Sequence, residues 1–167
     1  MARWLPHLIG LLTPLVTIAG ILAGGWLMGA TIYLVLGIYP IIDYIFGKSS
    51  VTDPLEEGTA FNYIAHSHAI LMPIVVITLL FAAYQDYTPF IWLAAVSVGL
   101  SNGASGIVTA HELGHRRPRS PSWWLSRLDL MCVLYLHFTI EHNHTHHKHW
   151  ARPRDPTSSP WGRNVYF

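Results

Sequence analysis

The sequence predicts an all-α integral membrane protein, with about four transmembrane helices and an interfacial or re-entrant helix between two histidine clusters. Three observations carry this. Of the 167 residues 51% are hydrophobic and only 11% charged, where soluble domains usually carry about a quarter charged residues. The mean hydropathy is +0.34. Apolar tracts long enough to cross a bilayer recur along the chain. A net charge of +1 supplies no basic field, so nucleic acid is excluded as a partner. Cys132, the single cysteine, has no intramolecular disulfide partner and reads as a small buried hydrophobe in an apolar run.

Taken in order, Leu8 to Phe46 is nearly twice the ~20 residues that one crossing requires. Gly24-Gly25 near its middle predicts a tight turn, hence a helical hairpin of Leu8 to Ala23 and Trp26 to Phe46. Pro14 is a candidate kink in the first arm. Asp43 is costly against lipid, so it is expected to face protein or the interface. Lys48 to Asn62 reads as an acidic extramembrane loop. His66 to Ala83 forms a third span, Gln85 to Pro89 a short turn, and Phe90 to Ala110 a fourth span running into His111. Small residues in that span (Gly99, Gly103, Ala104, Gly106) predict close helix packing. The whole chain reads as one membrane domain, 1–167.

Lysines and arginines are absent from the loops between spans one and two and between spans three and four. All of them fall on the other side, which the positive-inside rule makes cytoplasmic. Pro121 to Glu141 is also long and apolar. A full crossing there would separate the two histidine clusters by ~30 Å and break the charge pattern. Trp123, Trp124, Arg127 and Asp129 suit an interface better, so this segment is expected to return the second cluster to the face of the first.

Seven of the eleven histidines lie in those clusters: His111 and His115, then His142, His144, His146, His147 and His149. On a helix, His111 and His115 share one face, and His142 and His146 repeat the spacing. Neutral imidazole is a common ligand of zinc, copper and iron, and there are more rings here than one four-coordinate ion uses. That predicts two metals. The bland reading, stray polar residues, suits His7, His66 and His68 better, and His144 and His149 are expected to face solvent. His137 is favoured as a hydrogen-bonded neighbour of the site. Glu112, Glu141 and Asp155 are candidates to orient ligand rings through the second ring nitrogen. For Glu112 and Asp155 a plain helix-end or turn role weighs about equally.

The run from Gly106 through His111-Glu112-Leu113-Gly114-His115 to Arg117, followed by Leu134 to Asn143 and the His146-His147 pair, closely resembles the membrane alkane monooxygenases. Arg152-Pro153-Arg154-Asp155-Pro156 is similar to another stretch of that group, which belongs to the membrane desaturase and hydroxylase superfamily. The match is specific over residues 106 to about 160 and general before that.

The resemblance implies a non-haem diiron enzyme that hydroxylates the terminal methyl group of medium-chain alkanes, or of similar apolar chains. It would use O2 and electrons from rubredoxin and rubredoxin reductase. It carries over His111, His115, His142, His146 and His147 as ligands of two iron ions, in a bacterial inner membrane with the site on the cytoplasmic side. Attack on a saturated C–H bond calls for a redox-active metal, which zinc is not. The resemblance also implies a third histidine box, absent from these 167 residues. The chain is therefore expected to be a C-terminally truncated piece, inactive alone.

Three rivals stand beside it. His111-Glu112-x-x-His115 is the pattern of a zinc metalloprotease with Glu112 as general base, here an intramembrane one. Against it, the second cluster holds more histidines than a catalytic zinc needs. A fatty-acyl desaturase or a xylene-type monooxygenase would share the metal chemistry. A metal carrier would place ionisable residues along the spans, and these are nearly free of them.

Overall fold

The computed structural model describes residues 4–47, 58–85 and 88–164. Arg3, Lys48, most of the acidic loop and turn residues 86–87 fall outside that set. Among the described residues every regular element is helical. Four helices are long and apolar enough to cross a membrane: α1 (Leu5–Ala23), α2 (Gly25–Phe46), α3 (Thr59–Gln85) and α4 (Ile91–Gly114). The protein is thus an all-α integral membrane protein.

The hairpin of α1 and α2 turns where two adjacent glycines adopt φ of 78° and 58°, a left-handed geometry open to them for lack of a Cβ. Pro14 offers no N–H to a carbonyl one turn back, and the chain ahead of it, Leu5–Leu11, winds as a 3-10 helix. The arms then pack tightly. A Cβ on Gly20 would lie 2.4 Å from the Leu27 carbonyl oxygen, and Thr17 and Thr31 join hydroxyls across the pair at 2.7 Å. In an apolar bundle such contacts replace the hydrophobic drive that lipid removes.

Helix α3 begins at Thr59, earlier than the expected His66, because the polar residues there lower hydropathy without breaking a helix. It carries Pro73 in its interior. Helix α4 continues past Ala110 into the first histidine cluster and ends at Gly114, with His115 as its cap. The four helices meet in a core of Ile21, Met28, Met72, Val75, Ile91, Ala94 and Val98. The Ser97 hydroxyl donates to the Met28 carbonyl at 2.7 Å, tying α4 to the hairpin.

Pro121 to Glu141 is not one continuous helix. Helix α5 (Pro121–Cys132) starts on Ser120, whose side chain accepts from the Trp123 N–H at 3.3 Å, with Pro121 in the first helical position. It stops at Leu134, which takes φ 55°. There Tyr135 N–H bonds to Leu130 O at 2.8 Å and Leu134 N–H to Met131 O at 3.1 Å. That is a Schellman ending made with leucine in place of glycine. Twelve residues at ~1.5 Å each make about 18 Å, too short to cross. Instead α5 lies against α3 and α4. His66 Nε2 meets Ser122 Oγ at 2.8 Å, and Ser126 Oγ donates to the Ala110 carbonyl at 2.6 Å. The chain then doubles back into a helical segment, α6 (138–149), which carries the second histidine cluster.

Candidate metal centre

The helical spacing sets His111 and His115 side by side at the end of α4, ring centroids 5.0 Å apart. Their site is completed by α6, and three features hold it there. The Asn143 amide donates to the Gly114 carbonyl at 3.3 Å, satisfying one of the free acceptors at the end of α4. Gly114 has no side chain where a Cβ would come within 3.0 Å of Thr139 Cγ2 and 3.2 Å of Ser126 Oγ. Within α6, Glu141–His146 forms a π-helical turn, a rare geometry that recurs at functional sites.

The result is one cluster of imidazoles. The His142 ring centroid lies 4.2 Å from His111 and 5.1 Å from His115, and His147 lies 5.0 Å from His115. Ligand nitrogens of His111, His115 and His142 fall within 4.8 Å of one another. Nε2 of His142 and Nε2 of His147 are 3.0 Å apart. Two nitrogens bound at about 2.1 Å on adjacent positions of one ion sit ~3.0 Å apart, and on opposite positions about 4.2 Å. The three donors of His111, His115 and His142 lie close enough for one transition-metal ion to draw them together.

His146 joins from the side, its ring stacked on His142 at 5.3 Å. Its Nδ1 faces both Asp155 oxygens at 3.0 and 3.1 Å and the Thr157 hydroxyl at 2.6 Å, which leaves Nε2 as the nitrogen open to a metal.

The electrostatics favour neutral donors. Burial pushes the His142 imidazole down to about 4, and the neighbouring His111, His147, His115 and His146 push the same way. Only the neutral ring ligates, so His142 is ready at neutral pH. Burial opposes ionisation of Asp155, but hydrogen bonds from Ser158, Thr157 and His146 outweigh it and hold the carboxyl well below the usual range. Asp155 also accepts from Ala151 N–H, at 3.2 Å, and so fastens the loop after α6.

The remaining candidates are placed differently. Glu112 is exposed and pairs with Arg116 at 3.3 Å, one helical turn on. His137 is exposed beside the Tyr135 ring. Glu141 is exposed, and among the described residues no histidine nitrogen bonds to it. His144 is exposed, while His149 is half-buried beside a shallow cleft with Arg152 and Arg154. Asn143, Thr157 and the steric role of Gly114 were not among the residues singled out from the sequence. The only signal for Gly114 was a glycine inside a helix-forming motif, where propensity alone disfavours it.

Fold and cluster together define a helical membrane protein of the histidine-cluster type. Comparison with known proteins narrows this. The chain is 31% identical to alkane 1-monooxygenase 1 of Alcanivorax borkumensis over 98% of its own length and 42% of that protein's. It is 30% identical to alkane 1-monooxygenase of Ectopseudomonas oleovorans over 98% of the chain and 43% of the relative. For the Acinetobacter baylyi enzyme it is 37% over 77% of the chain and 33% of the relative. By sequence the chain is similar to alkane 1-monooxygenases, and it spans about two fifths of the length of these curated relatives. No family model matches it, and neither does any solved structure.

Proposed function

We propose that this chain supplies part of the diiron centre of a membrane oxygenase that hydroxylates the terminal methyl group of medium-chain alkanes or similar apolar chains. One observation carries the reading: imidazoles more than twenty-five residues apart in sequence, His111 and His115 against His142, gather with ligand nitrogens within 4.8 Å of one another, and His147 lies beside them. The names of the relatives add the reaction class, alkane 1-monooxygenation.

In this reading His111, His115, His142, His146 and His147 hold two iron ions, which when bound supply the redox chemistry that splits a C–H bond with O2. The protein's own contribution is positional. Asp155 fixes the His146 tautomer and ring angle, and Asn143 docks α6 on α4. The apolar helices receive a substrate that partitions into the bilayer. Rubredoxin and rubredoxin reductase are the proposed electron donors, O2 the co-substrate, and a bacterial inner membrane with the metals on the cytoplasmic side the proposed setting. Five nitrogens do not fill two iron shells, so the chain alone is expected to bind metal without turnover.

The test is anaerobic Fe(II) reconstitution of the membrane-embedded chain, with metal analysis and Mössbauer spectroscopy. About two irons in histidine-rich sites support the proposal. A preference for a single zinc with no bound iron would refute it.

A further inference from the structure

A cavity of about 840 Å³ opens among α1, α2, α3 and α4, well within the size of a small-molecule site. Its wall includes Val108 and Thr109, which sit just ahead of His111 on α4. Two of the three π-helical turns among the described residues border it: Leu34–Ile38 contributes Val35, and Asn102–Gly106 contributes Ser105. Most of the lining is apolar, as a hydrocarbon requires, but the wall is not purely so.

His68 lines the cavity from α3. Its Nδ1 is hydrogen-bonded to the buried hydroxyl of Ser105, which fixes the ring. Nε2 points toward α1, where a Cβ on Gly10 would stand only 3.2 Å away, so the ring reaches this position because residue 10 lacks a side chain. Among the described residues no group hydrogen-bonds to Nε2. Thr13 and Tyr39, also on the wall, satisfy each other at 3.0 Å, and the Thr109 hydroxyl stands on the wall as well. The wall therefore offers one open nitrogen, with the Asp43 carboxylate also lining the cavity.

An alkane filling this space would bury that nitrogen unpaired, whereas a ligand that bonds it would not. A hydroxyl both donates and accepts, so it satisfies Nε2 in either tautomer. A chain ending in a carboxylate would bring a second negative charge to a low-dielectric wall that already carries Asp43. We propose that this cavity is the seat of a long-chain primary alcohol, its hydroxyl bonded to His68 Nε2 and its chain lying along Ile9, Val35 and Val108. The proposal rests on the hydroxylase reading only for its meaning, namely that the seat takes the hydroxylated product in preference to the alkane. Binding itself requires no metal.

The experiment uses the whole metal-free chain in phosphatidylcholine nanodiscs and radiolabelled 1-dodecanol, with empty nanodiscs subtracted. Saturable binding of one alcohol per chain is expected. Unlabelled 1-dodecanol should displace it about tenfold better than dodecane or dodecanoate, the ratio that ~1.4 kcal/mol gives. His68→Phe should erase the preference over dodecane, and His68→Gln should keep part of it. Should His68→Phe fail to insert, Ser105→Ala is read instead, and a severalfold weaker preference is expected. Equal displacement by alcohol and alkane in the unmodified chain overturns the proposal. So does a preference for dodecanoate, or one unchanged in the His68 and Ser105 variants. Because no iron is present, failure here leaves the metal proposal standing, and failure of iron reconstitution leaves this result untouched.

Discussion

Both carboxylate oxygens of Asp155 lie against Nδ1 of His146, at 3.0 and 3.1 Å, and the carboxylate is only 5% exposed. A buried anion on Nδ1 fixes the proton there and turns Nε2 outward with raised basicity. Asp155→Ala should weaken metal binding by about 10–100-fold, the usual loss when such a partner is removed. Cobalt(II) titration of the membrane-embedded chain, read by its visible absorption, measures this. Affinity within twofold of the unmodified chain would reduce Asp155 to a loop fastener.

His142 is buried where the rings converge, whereas His144, two residues on, is exposed. His142→Ala should therefore release most of the bound metal, and His144→Ala should release none. Metal content after dialysis separates the two, and equal losses would contradict the geometry.

Gly114 is the contact point for both α5 and α6. Gly114→Val would drive a side chain into Thr139 and Ser126, where even a Cβ stands at 3.0 and 3.2 Å. Overpacking of this kind costs about 1–3 kcal/mol. Thermal unfolding in detergent should show a lower midpoint, with weaker metal binding as α6 is wedged from α4. An unchanged midpoint would mean that the neighbours yield freely.

Asp129 is 2% exposed, and neither of its oxygens has a hydrogen-bond partner among the described residues. Burial raises its carboxyl to about 8. The sign follows directly. In the unfolded chain the group ionises near 4, while the folded protein keeps its proton up to about 8, so stability falls as pH rises between these values. Asp129→Asn should flatten that slope, because the amide has no proton to lose, and so raise stability at pH 8 relative to the unmodified protein. Unfolding midpoints at pH 5 and pH 8 test it; an unaltered slope would assign the pH dependence elsewhere.

Leu134 ends α5 in a left-handed conformation at about 1–2 kcal/mol for a residue with a Cβ. Its side chain is almost fully exposed, so Leu134→Gly loses little packing. A rise in the unfolding midpoint is expected, and a fall would show that the leucine makes contacts worth more than the strain.

The spans and their hairpin were legible in the sequence because hydropathy and paired glycines act locally. The meeting of the two histidine clusters was legible for a different reason: a fifth crossing of the chain between them conflicted with the charge pattern. The break at Leu134 was not, since leucine is a strong helix former and only the backbone bonds of the Schellman ending reveal the stop. Nor was the role of Asn143, whose partner is a carbonyl at the end of another helix. Asp155 was visible as a carboxylate near the histidines, but its choice of His146 depends on how the loop folds back.

The π-turn at Asn102–Gly106 has a consequence for how this protein tolerates length change. Such a turn holds one residue more than the α-helix around it, and each residue advances a helix by ~100°. Deleting a single residue there would restore plain α geometry with the flanking turns nearly in phase, but deleting one from the α-helical stretch Ile91–Ser101 before it would leave a span just as greasy and nearly as long. Yet it would swing His111 and His115 about a quarter turn away from His142, so a lesion invisible to any hydropathy plot would disassemble the centre.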